Sequence, residues 1–387
     1  MALFTYSALE LFTWLTDKAD ILVLDVRNKV DFGRFKVESP YPFDTLNISY
    51  FDFMEIEDEC VAQIPKGKPI RVVCAKEGSA KYVSEILIKN GFADVGYLEG
   101  GIKTWGNLLI PKQLSPLENY DLYQFIRPGK ASCSYGLLSQ NELMLFDPSR
   151  NTEFYLDFAQ KHGCTIVKTF ETHLQADYIA GSRVISEKYG AEFMANENDF
   201  KGSKINYTAL AHKKEYTFSS DGPKVQCLFT PGHTPGSTSF IVDSKYMISG
   251  DTIFIRSVGR PDLGGQVEAW SDALFDTLQE LKTFPDTMLV LPGHYMNWEE
   301  ATKDLHFIAT LTETKDFNKA IYAIDNKKDF LAFIEGNMRK QPAEYATIRL
   351  INANLEQVED DKAEELDLGK NECAATAYAA QQEQTAS

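Results

Sequence analysis

The phrases THLQADY (172–178) and PGHTPGS (231–237) decide how this chain folds, and SGDT (249–252) and PGHY (292–295) follow them. The chain has six histidines, and three of them lie inside these four phrases. Each phrase is rich in glycine, proline or threonine, which is typical of a sharp loop after a strand. Loops that each present an imidazole or a carboxylate can assemble one metal site from distant parts of a sequence.

The order of these phrases resembles that of the metallo-β-lactamase superfamily, whose loops supply metal ligands in the same order. Four phrases in this order within about one domain length form a specific signal, whereas a single H-x-x-x-D would not. The resemblance implies an αββα sandwich, in which two sheets pack between helices.

The first loop departs from the superfamily pattern H-x-H-x-D-H, because Gln175 and Tyr178 replace its second and last histidines. A neutral amide is a poor ligand for a transition metal, and a phenol would have to lose a proton whose pKa is near 10. Dinuclear relatives such as glyoxalase II need both imidazoles, so the sequence disfavours a two-metal centre.

The ligand positions that remain are His173, His233 and Asp251. Two imidazoles and one carboxylate match the facial triad of non-haem Fe(II) oxygenases, which leaves positions open for O₂ and substrate. Within the superfamily this set resembles the iron ligands of persulfide dioxygenases, which oxidise glutathione persulfide. The resemblance implies one Fe(II) per chain, with zinc as the alternative.

Further polar residues of these loops are expected around the metal rather than on it. Asp177 and His294, together with Gln175 and Tyr178, are expected to orient the ligands or to face the substrate. Arg256 and Arg260 in IRSVGRPD either brace the loop after Asp251 or bind glutathione carboxylates, since arginine suits bidentate carboxylate recognition.

A second candidate site surrounds Cys74, which ends an apolar strand and begins the loop CAKEGSA before a helix. The backbone N–H groups of such a turn and the helix dipole stabilise a thiolate. The expected persulfide-binding loop consists of Ala75, Lys76, Glu77, Gly78, Ser79 and Ala80. The other five cysteines are interpreted as structural or incidental.

The segments LDVR (24–27) and GFADVGYLEGGIKTW (91–105) resemble the rhodanese family over about the first 105 residues. The resemblance implies that Cys74 takes sulfane sulfur from a donor and passes it to a thiol. Ala80 stands where related phosphatases keep an arginine, so phosphate chemistry is disfavoured. Glu77 should weaken the affinity of the loop for thiosulfate.

The length of 387 residues favours two domains. Strand and helix signals alternate at the N-terminus, which predicts a rhodanese-type parallel α/β domain. The predicted segments are a rhodanese domain at 1–108, a linker at 109–119, a metallo-β-lactamase-fold domain with C-terminal helices at 120–356, and an acidic mobile tail at 357–387.

A net charge of −17 argues against binding to nucleic acid or to anionic membranes. The chain start lacks a basic n-region and a cleavage site, and the cysteines show no paired spacing. These features favour a cytoplasmic protein with reduced thiols. The expected partners are small thiols and persulfides, thiosulfate and O₂; a homodimer stays open.

The leading hypothesis is a bifunctional sulfur-metabolism enzyme that oxidises glutathione persulfide to sulfite and transfers sulfur through a cysteine persulfide. One alternative is a glyoxalase II-like thioester hydrolase with a rhodanese domain. Another is a sulfur-carrier module whose lactamase-like domain is degenerate. The metal content would separate the three hypotheses. One iron per chain would favour the dioxygenase, about two zinc ions the hydrolase, and no bound metal the degenerate module.

Overall fold

A computed structural model describes residues 3–116, 119–219 and 222–376. The chain forms two compact units. The first contains Met1–Ile110, Arg127–Lys130 and Asp367–Lys370, and the second contains Pro111–Ile126, Ala131–Leu366 and Asn371–Ser387.

In the first unit, strands and helices alternate along the chain. The strands are β1 (Phe4–Tyr6), β2 (Leu22–Asp25), β3 (Asp44–Asn47), β4 (Ile70–Val73) and β5 (Val95–Leu98). The helices are α1 (Ala8–Thr16), α2 (Lys29–Arg34), α3 (Tyr50–Glu55), α4 (Glu57–Ala62), α5 (Glu77–Lys89) and α6 (Ile102–Asn107).

The five strands form a parallel sheet in the order β1-β5-β4-β2-β3. Every residue of β2 and β4 is buried, as expected for aliphatic strands that are covered on both faces. The predicted parallel α/β domain is confirmed. Because β4 ends at Val73, the next residue, Cys74, lies at the carboxyl edge of the sheet.

The second unit contains most of the remaining strands and helices. The strands are β6 (Ile110–Pro116), β7 (Asp121–Arg127), β8 (Ser132–Ser139), β9 (Glu142–Phe146), β10 (Thr165–Phe170), β11 (Glu192–Ala195), β12 (Thr208–Ala209), β13 (Glu215–Tyr216), β14 (Val225–Phe229), β15 (Thr238–Val242), β16 (Tyr246–Gly250), β17 (Leu289–Pro292) and β18 (Ala309–Thr310). The helices are α7 (Thr152–Lys161), α8 (Ser182–Tyr189), α9 (Glu197–Phe200), α10 (Val267–Leu281), α11 (Leu311–Phe317), α12 (Lys319–Tyr322), α13 (Lys327–Asn337), α14 (Glu344–Asn352) and α15 (Asp360–Asp367), with a 3₁₀ turn at Trp298–Glu300.

These strands form two mixed sheets, a seven-stranded one in the order β12 to β6 and a six-stranded one in the order β13 to β18. Phe146 and Phe170 of the first sheet stack on each other, and both rings contact Phe240 of the second, with centroids 4.9–5.2 Å apart. Aromatic rings thus fill the space between the sheets. The predicted sandwich with C-terminal helices is confirmed.

Two segments differ from their sequence-based interpretation. Most of the expected linker, 109–119, forms β6, an edge strand, where prolines are tolerated because the unpaired side needs no N–H donor. In the expected mobile tail, 357–387, α15 forms and buries Ala363 and Leu366. The tail residues 377–387 lie outside the described part of the chain. Among the described helices, none is long and apolar enough to cross a membrane.

We expect Leu24→Ala to lower the free energy of unfolding of the first unit by about 2–5 kcal/mol, because the side chain is fully buried in the parallel sheet. Leu9→Ala is the matched control, since Leu9 in α1 is 53% exposed. Urea unfolding of the full chain, followed for both variants, would measure the difference. Equal losses of stability in the two variants would contradict the described burial.

Candidate functional site

Four buried polar side chains lie just beyond the ends of four strands of the second unit. His173 follows β10, His233 follows β14, Asp251 follows β16 and His294 follows β17. Each is at most 2% exposed. The β16–β17 ladder shifts register between Ile248 and Gly250, an irregularity of the kind that redirects the next side chain.

The structure brings His173, His233 and Asp251 together, with one possible ligand atom of each within 4.8 Å of the others. Oδ2 of Asp251 lies 3.6 Å from Nε2 of His233 and 3.9 Å from Nε2 of His173. Within the described part of the chain, none of these three atoms has a hydrogen-bond partner. Buried polar atoms without partners are costly, so their convergence suits a bound cation.

The other ring nitrogen of each histidine is engaged, which fixes the tautomer. Nδ1 of His233 is 2.9 Å from the carbonyl oxygen of Arg260, which can only accept, so Nδ1 carries the proton. Nδ1 of His173 is 2.9 Å from the Thr172 hydroxyl, which itself donates to Asp147 and therefore accepts from the ring. Both Nε2 atoms consequently present lone pairs to the centre.

Two glycines allow these loops to approach closely. Gly250 has a φ of 50°, and a Cβ there would lie 2.3 Å from the Thr172 hydroxyl oxygen. A Cβ at Gly293 would lie 2.6 Å from Oδ1 of Asp251. The glycines of SGDT and PGHY therefore make room for Asp251 and for the Thr172 hydroxyl that contacts His173.

The electrostatic environment keeps His173 neutral and Asp251 ionised. Burial lowers the pKa of His173 to about 3, although the nearby Asp251 opposes this shift. Burial alone would raise the pKa of Asp251, but His294, His173 and His233 outweigh it and hold the pKa below its usual range. A neutral imidazole and a carboxylate are the forms that bind metal ions.

His294 lies between two carboxylates. Its Nδ1 donates to Oδ1 of Asp251 at 2.7 Å, and its Nε2 is 2.9 Å from Oδ2 of Asp177. Burial opposes a charge on His294, but Asp177 and Asp251 outweigh burial and raise its pKa to about 10.

Cys373 also reaches this centre, and the sequence interpretation missed it. Its thiol, the imidazole of His294 and the carboxylate of Asp177 each offer an atom within 4.8 Å of the other two. The segment that carries it is paired to the loop after Asp251, because Arg260 N–H donates to the Cys373 carbonyl at 2.8 Å. A cysteine in a polar C-terminal stretch gives no sequence signal for such a position.

Gln175 and Tyr178, which replace the superfamily histidines, are both buried. Burial raises the pKa of Asp147 to about 7 and the pKa of Glu171 well above its ordinary value, and the Gln175 side chain acts on both carboxyl groups in the opposite direction. The Tyr178 hydroxyl donates to the Asp147 carbonyl at 3.3 Å. Burial raises the pKa of Tyr178 well above its ordinary value, so the hydroxyl stays a phenol.

The two arginines have structural contacts. Arg260 makes a buried, bidentate ion pair with Asp262, with both N–O distances 2.6 Å. Arg256 is 3.7 Å from the carboxylate of Glu299 and stacks over the ring of Phe317. Of the two roles that the sequence left open, these contacts favour bracing over glutathione binding.

In the first unit, Cys74 is 3% exposed and lies at the start of the predicted loop. Burial raises the pKa of its thiol, although the N–H groups of Lys76 and Ala75 and the Ser79 hydroxyl act in the opposite direction. The hydrogen-bond donors expected from the sequence are therefore present, but burial changes the thiol pKa more than they do. Glu77 accepts a hydrogen bond from Gly100 N–H at 2.5 Å, which fixes its carboxylate on the neighbouring turn.

Gly101, in the turn between β5 and α6, lets that turn pack against the Cys74 loop. Its φ is 74°, and a Cβ there would lie 2.5 Å from the Ala75 carbonyl oxygen. The N–H of Ile102 donates to the carbonyl of Cys74 at 2.8 Å. The remaining loop residues Gly78 and Ala80 lie in the first turn of α5.

Comparisons with known proteins agree with both units. The Rhodanese-like domain family model matches residues 8–108, and the Metallo-beta-lactamase superfamily model matches residues 128–294. The chain is 28% identical over 179 residues to "Probable metallo-hydrolase YqgX" of Bacillus subtilis, covering 42% of this chain and 83% of that protein. It is 27% identical over 180 residues to "Hydroxyacylglutathione hydrolase" of Haemophilus ducreyi, covering 46% and 71%.

Among solved structures, the chain resembles a metallo-beta-lactamase from Staphylococcus aureus with 28% identity and a TM-score of 0.55, covering 61% of this chain and 73% of that one. ETHE1 from Myxococcus xanthus has 24% identity and a TM-score of 0.52, with coverages of 60% and 98%, and supports the fold alone. The family models thus show an N-terminal rhodanese domain at residues 8–108, followed by a metallo-β-lactamase domain at residues 128–294.

Proposed function

We propose that His173, His233 and Asp251 bind one ferrous ion and that this domain oxidises a persulfide, such as glutathione persulfide, to sulfite. The observation that carries the proposal is the convergence of two bare Nε2 atoms and one carboxylate oxygen in a buried position. This donor set is the facial triad of non-haem iron oxygenases.

The residues fit a metal ion of this kind. Metal–ligand distances of about 2.0–2.2 Å place two ligand atoms about 3–4 Å apart, and the observed separations from Oδ2 of Asp251 are 3.6 and 3.9 Å. A ferrous ion held there would supply electron transfer to O₂ and positions for the persulfide sulfur. Overall, one persulfide, one O₂ and one water yield one thiol and one sulfite.

The chain's own residues orient the ligands and exclude water. The Thr172 hydroxyl, itself held by Asp147, and the Arg260 carbonyl each accept the Nδ1–H of a ligand histidine. His294 hydrogen-bonds to Oδ1 of Asp251, so that Oδ2 would be available to bind the metal ion. Because all of these residues are buried, bulk solvent does not compete for the ligand atoms.

In the rhodanese domain, Cys74 would carry sulfane sulfur as a cysteine persulfide. The Lys76 and Ala75 N–H groups and the Ser79 hydroxyl point at the sulfur and would hold an anionic persulfide. A thiosulfate or persulfide donor would load the thiol, and a small thiol would unload it.

Thioester hydrolysis is the second candidate, because several curated relatives are named "Hydroxyacylglutathione hydrolase". A relative of that name from Brucella anthropi is 31% identical over 139 residues, but the match spans only 50% of its length. The side chains of Gln175 and Tyr178, engaged with the Asp147 and Glu171 region, favour the oxidation over the hydrolysis.

We expect His173→Ala, His233→Ala and Asp251→Ala each to lower the iron bound at this site by at least about tenfold, because each removes a ligand. Gln175→Ala is the matched control and should retain most of the iron. Iron would be measured per chain by elemental analysis after anaerobic reconstitution. If Gln175→Ala lost iron as completely as His233→Ala, the assignment of the triad would be overturned.

We expect Cys74→Ser to abolish sulfur transfer from thiosulfate to cyanide while leaving bound iron unchanged, because a neutral hydroxyl cannot carry sulfane sulfur. An oxygen electrode would then compare two substrates: preformed glutathione persulfide, and thiosulfate plus glutathione. Uptake with the first should persist and uptake with the second should disappear. Loss of both in an iron-loaded variant would show that Cys74 serves the oxidation directly.

We expect the wild-type chain, loaded with zinc, to hydrolyse S-lactoylglutathione no faster than the metal-free protein. A double variant, Gln175→His with Tyr178→His, should gain hydrolysis, because it restores the imidazoles that dinuclear hydrolases use. Release of glutathione thiol would be followed with a colorimetric reagent. Wild-type turnover equal to that of the double variant would reverse the order of the two candidates.

A further inference from the structure

We propose that residues 371–376, here called the C-terminal lid, cover the proposed metal site and that a persulfide reaches the site only when this lid moves away. The role in access rests on the proposed function, because it concerns a substrate of the metal site. His173, His233 and Asp251 are each at most 2% exposed. A molecule as large as glutathione persulfide cannot contact side chains buried to this extent unless part of the surrounding chain moves.

The C-terminal lid packs on the loops that carry the candidate ligands. Its residues Cys373 and Ala374 lie in one apolar cluster with Ala176, Phe254, Leu263 and Tyr345. Two members of this cluster come from the loops after β10 and β16. Sγ of Cys373 also lies within 4.8 Å of a ring nitrogen of His294 and a carboxylate oxygen of Asp177. The lid therefore extends to the metal site and closes it with apolar contacts.

Hydrogen bonds to the loop after β16 hold the lid in its closed position. The N–H of Arg260 donates to the carbonyl of Cys373, and the N–H of Ala375 donates to the carbonyl of Val258, both at 2.8 Å. The lid and this loop also form an isolated antiparallel β-bridge between these two bonds. An isolated bridge fixes a segment less firmly than the continuous ladders that hold the strands of the two sheets.

Arg339, which follows α13, anchors the lid at the surface. Its Nε donates to the Glu372 carboxylate at 2.8 Å, and its Nη2 donates to the carbonyls of Glu372 and Ala374 at 3.2 and 2.9 Å. The Glu372 side chain is 46% exposed, and ion pairs at such positions add little stability because water screens them. Segments held by such contacts open at a lower free-energy cost than core strands. The strands that carry the site residues belong to the two sheets, so the lid is the element that we expect to move.

Cysteine labelling of the metal-free, full-length protein tests whether the lid opens. Cys373 in the lid is 1% exposed and Cys227 in the middle of β14 is 0% exposed, so both are protected in the closed structure. N-ethylmaleimide, followed by mass spectrometry of the two cysteine peptides, should modify Cys373 at least about tenfold faster than Cys227, because the lid opens while the sheet stays folded. Equal rates would mean that Cys373 becomes accessible only by unfolding of the whole unit, and would overturn the proposal.

Arg339→Ala should raise the labelling rate of Cys373 by about tenfold and leave the rate of Cys227 unchanged, because it removes three hydrogen bonds from the closed lid alone. Lys340→Ala is the matched control, since it removes the neighbouring, exposed cation, and should keep both rates at wild-type values. No change at Cys373 in Arg339→Ala, or an equal rise at both cysteines, would contradict the proposed anchoring of the lid.

A disulfide between the lid and the loop after β16 tests the role of the lid in access. The side-chain oxygens of Ser257 and Thr376 are 2.9 Å apart, so sulfur atoms in their place would be close enough to bond. Once oxidised, the double variant Ser257→Cys with Thr376→Cys should label Cys373 as slowly as Cys227. After iron loading, its oxygen uptake with glutathione persulfide should fall to background and return when the bond is reduced. The two single variants should keep wild-type uptake.

The two measurements separate the lid from the proposed oxidation. Wild-type uptake by the locked double variant would overturn the lid as the entrance, because the persulfide would then reach the iron past a closed lid. A wild type that binds no iron or does not oxidise the persulfide would contradict the proposed function instead. The opening of the lid would in that case still be decided by the labelling rates of Cys373 and Cys227.

Discussion

The orientation of the imidazole rings decides which nitrogen atoms face the candidate metal site, and the proposed metal binding depends on it. At His233 the acceptor is a backbone carbonyl, at His294 a carboxylate, and at His173 a hydroxyl that already donates elsewhere. At His173 and His233 the acceptor places the proton on Nδ1 and leaves Nε2 bare, whereas His294, whose pKa Asp177 and Asp251 raise to about 10 against the effect of burial, carries a proton on both nitrogens. Bare nitrogens that are buried with a carboxylate oxygen have no solvent to satisfy them, so a cation is the natural complement.

Buried contacts around the site hold the acceptors of His233 and His173 in place. The Arg260 carbonyl stays in place because the Arg260 guanidinium is paired with Asp262 in the interior. Thr172 stays in place because Asp147 receives both its N–H and its hydroxyl, at 2.7 and 2.8 Å. Gly250 has no side chain to displace Thr172. A substitution in this set would change the site without touching a ligand.

Much of the fold and part of the site could be predicted from the sequence. Buried aliphatic strands such as β2 and β4 are local signals, and the two family matches agree with the predicted sandwich and parallel sheet. The proximity of His173, His233 and Asp251 was predicted because each follows a strand in a recognisable phrase. The chemistry of those residues stays a proposal.

Other features depend on tertiary contacts that no local pattern encodes. Cys373 reaches the centre through backbone pairing with Arg260, in a stretch without strand periodicity. The ordered segment before it was expected to be mobile because it is acidic, but Ala363 and Leu366 bury against α14 residues Ile348 and Ile351. The pKa of the Cys74 thiol likewise depends on packing, because burial raises it and the hydrogen-bond donors of the loop lower it. The sequence of the loop does not show which effect is larger.

Anomalous diffraction from crystals of the iron-loaded protein, recorded on both sides of the iron absorption edge, would locate the iron relative to His173, His233 and Asp251. We expect an iron peak bounded by Nε2 of His173, Nε2 of His233 and Oδ2 of Asp251. Fully iron-loaded crystals without a peak between those three atoms would contradict it.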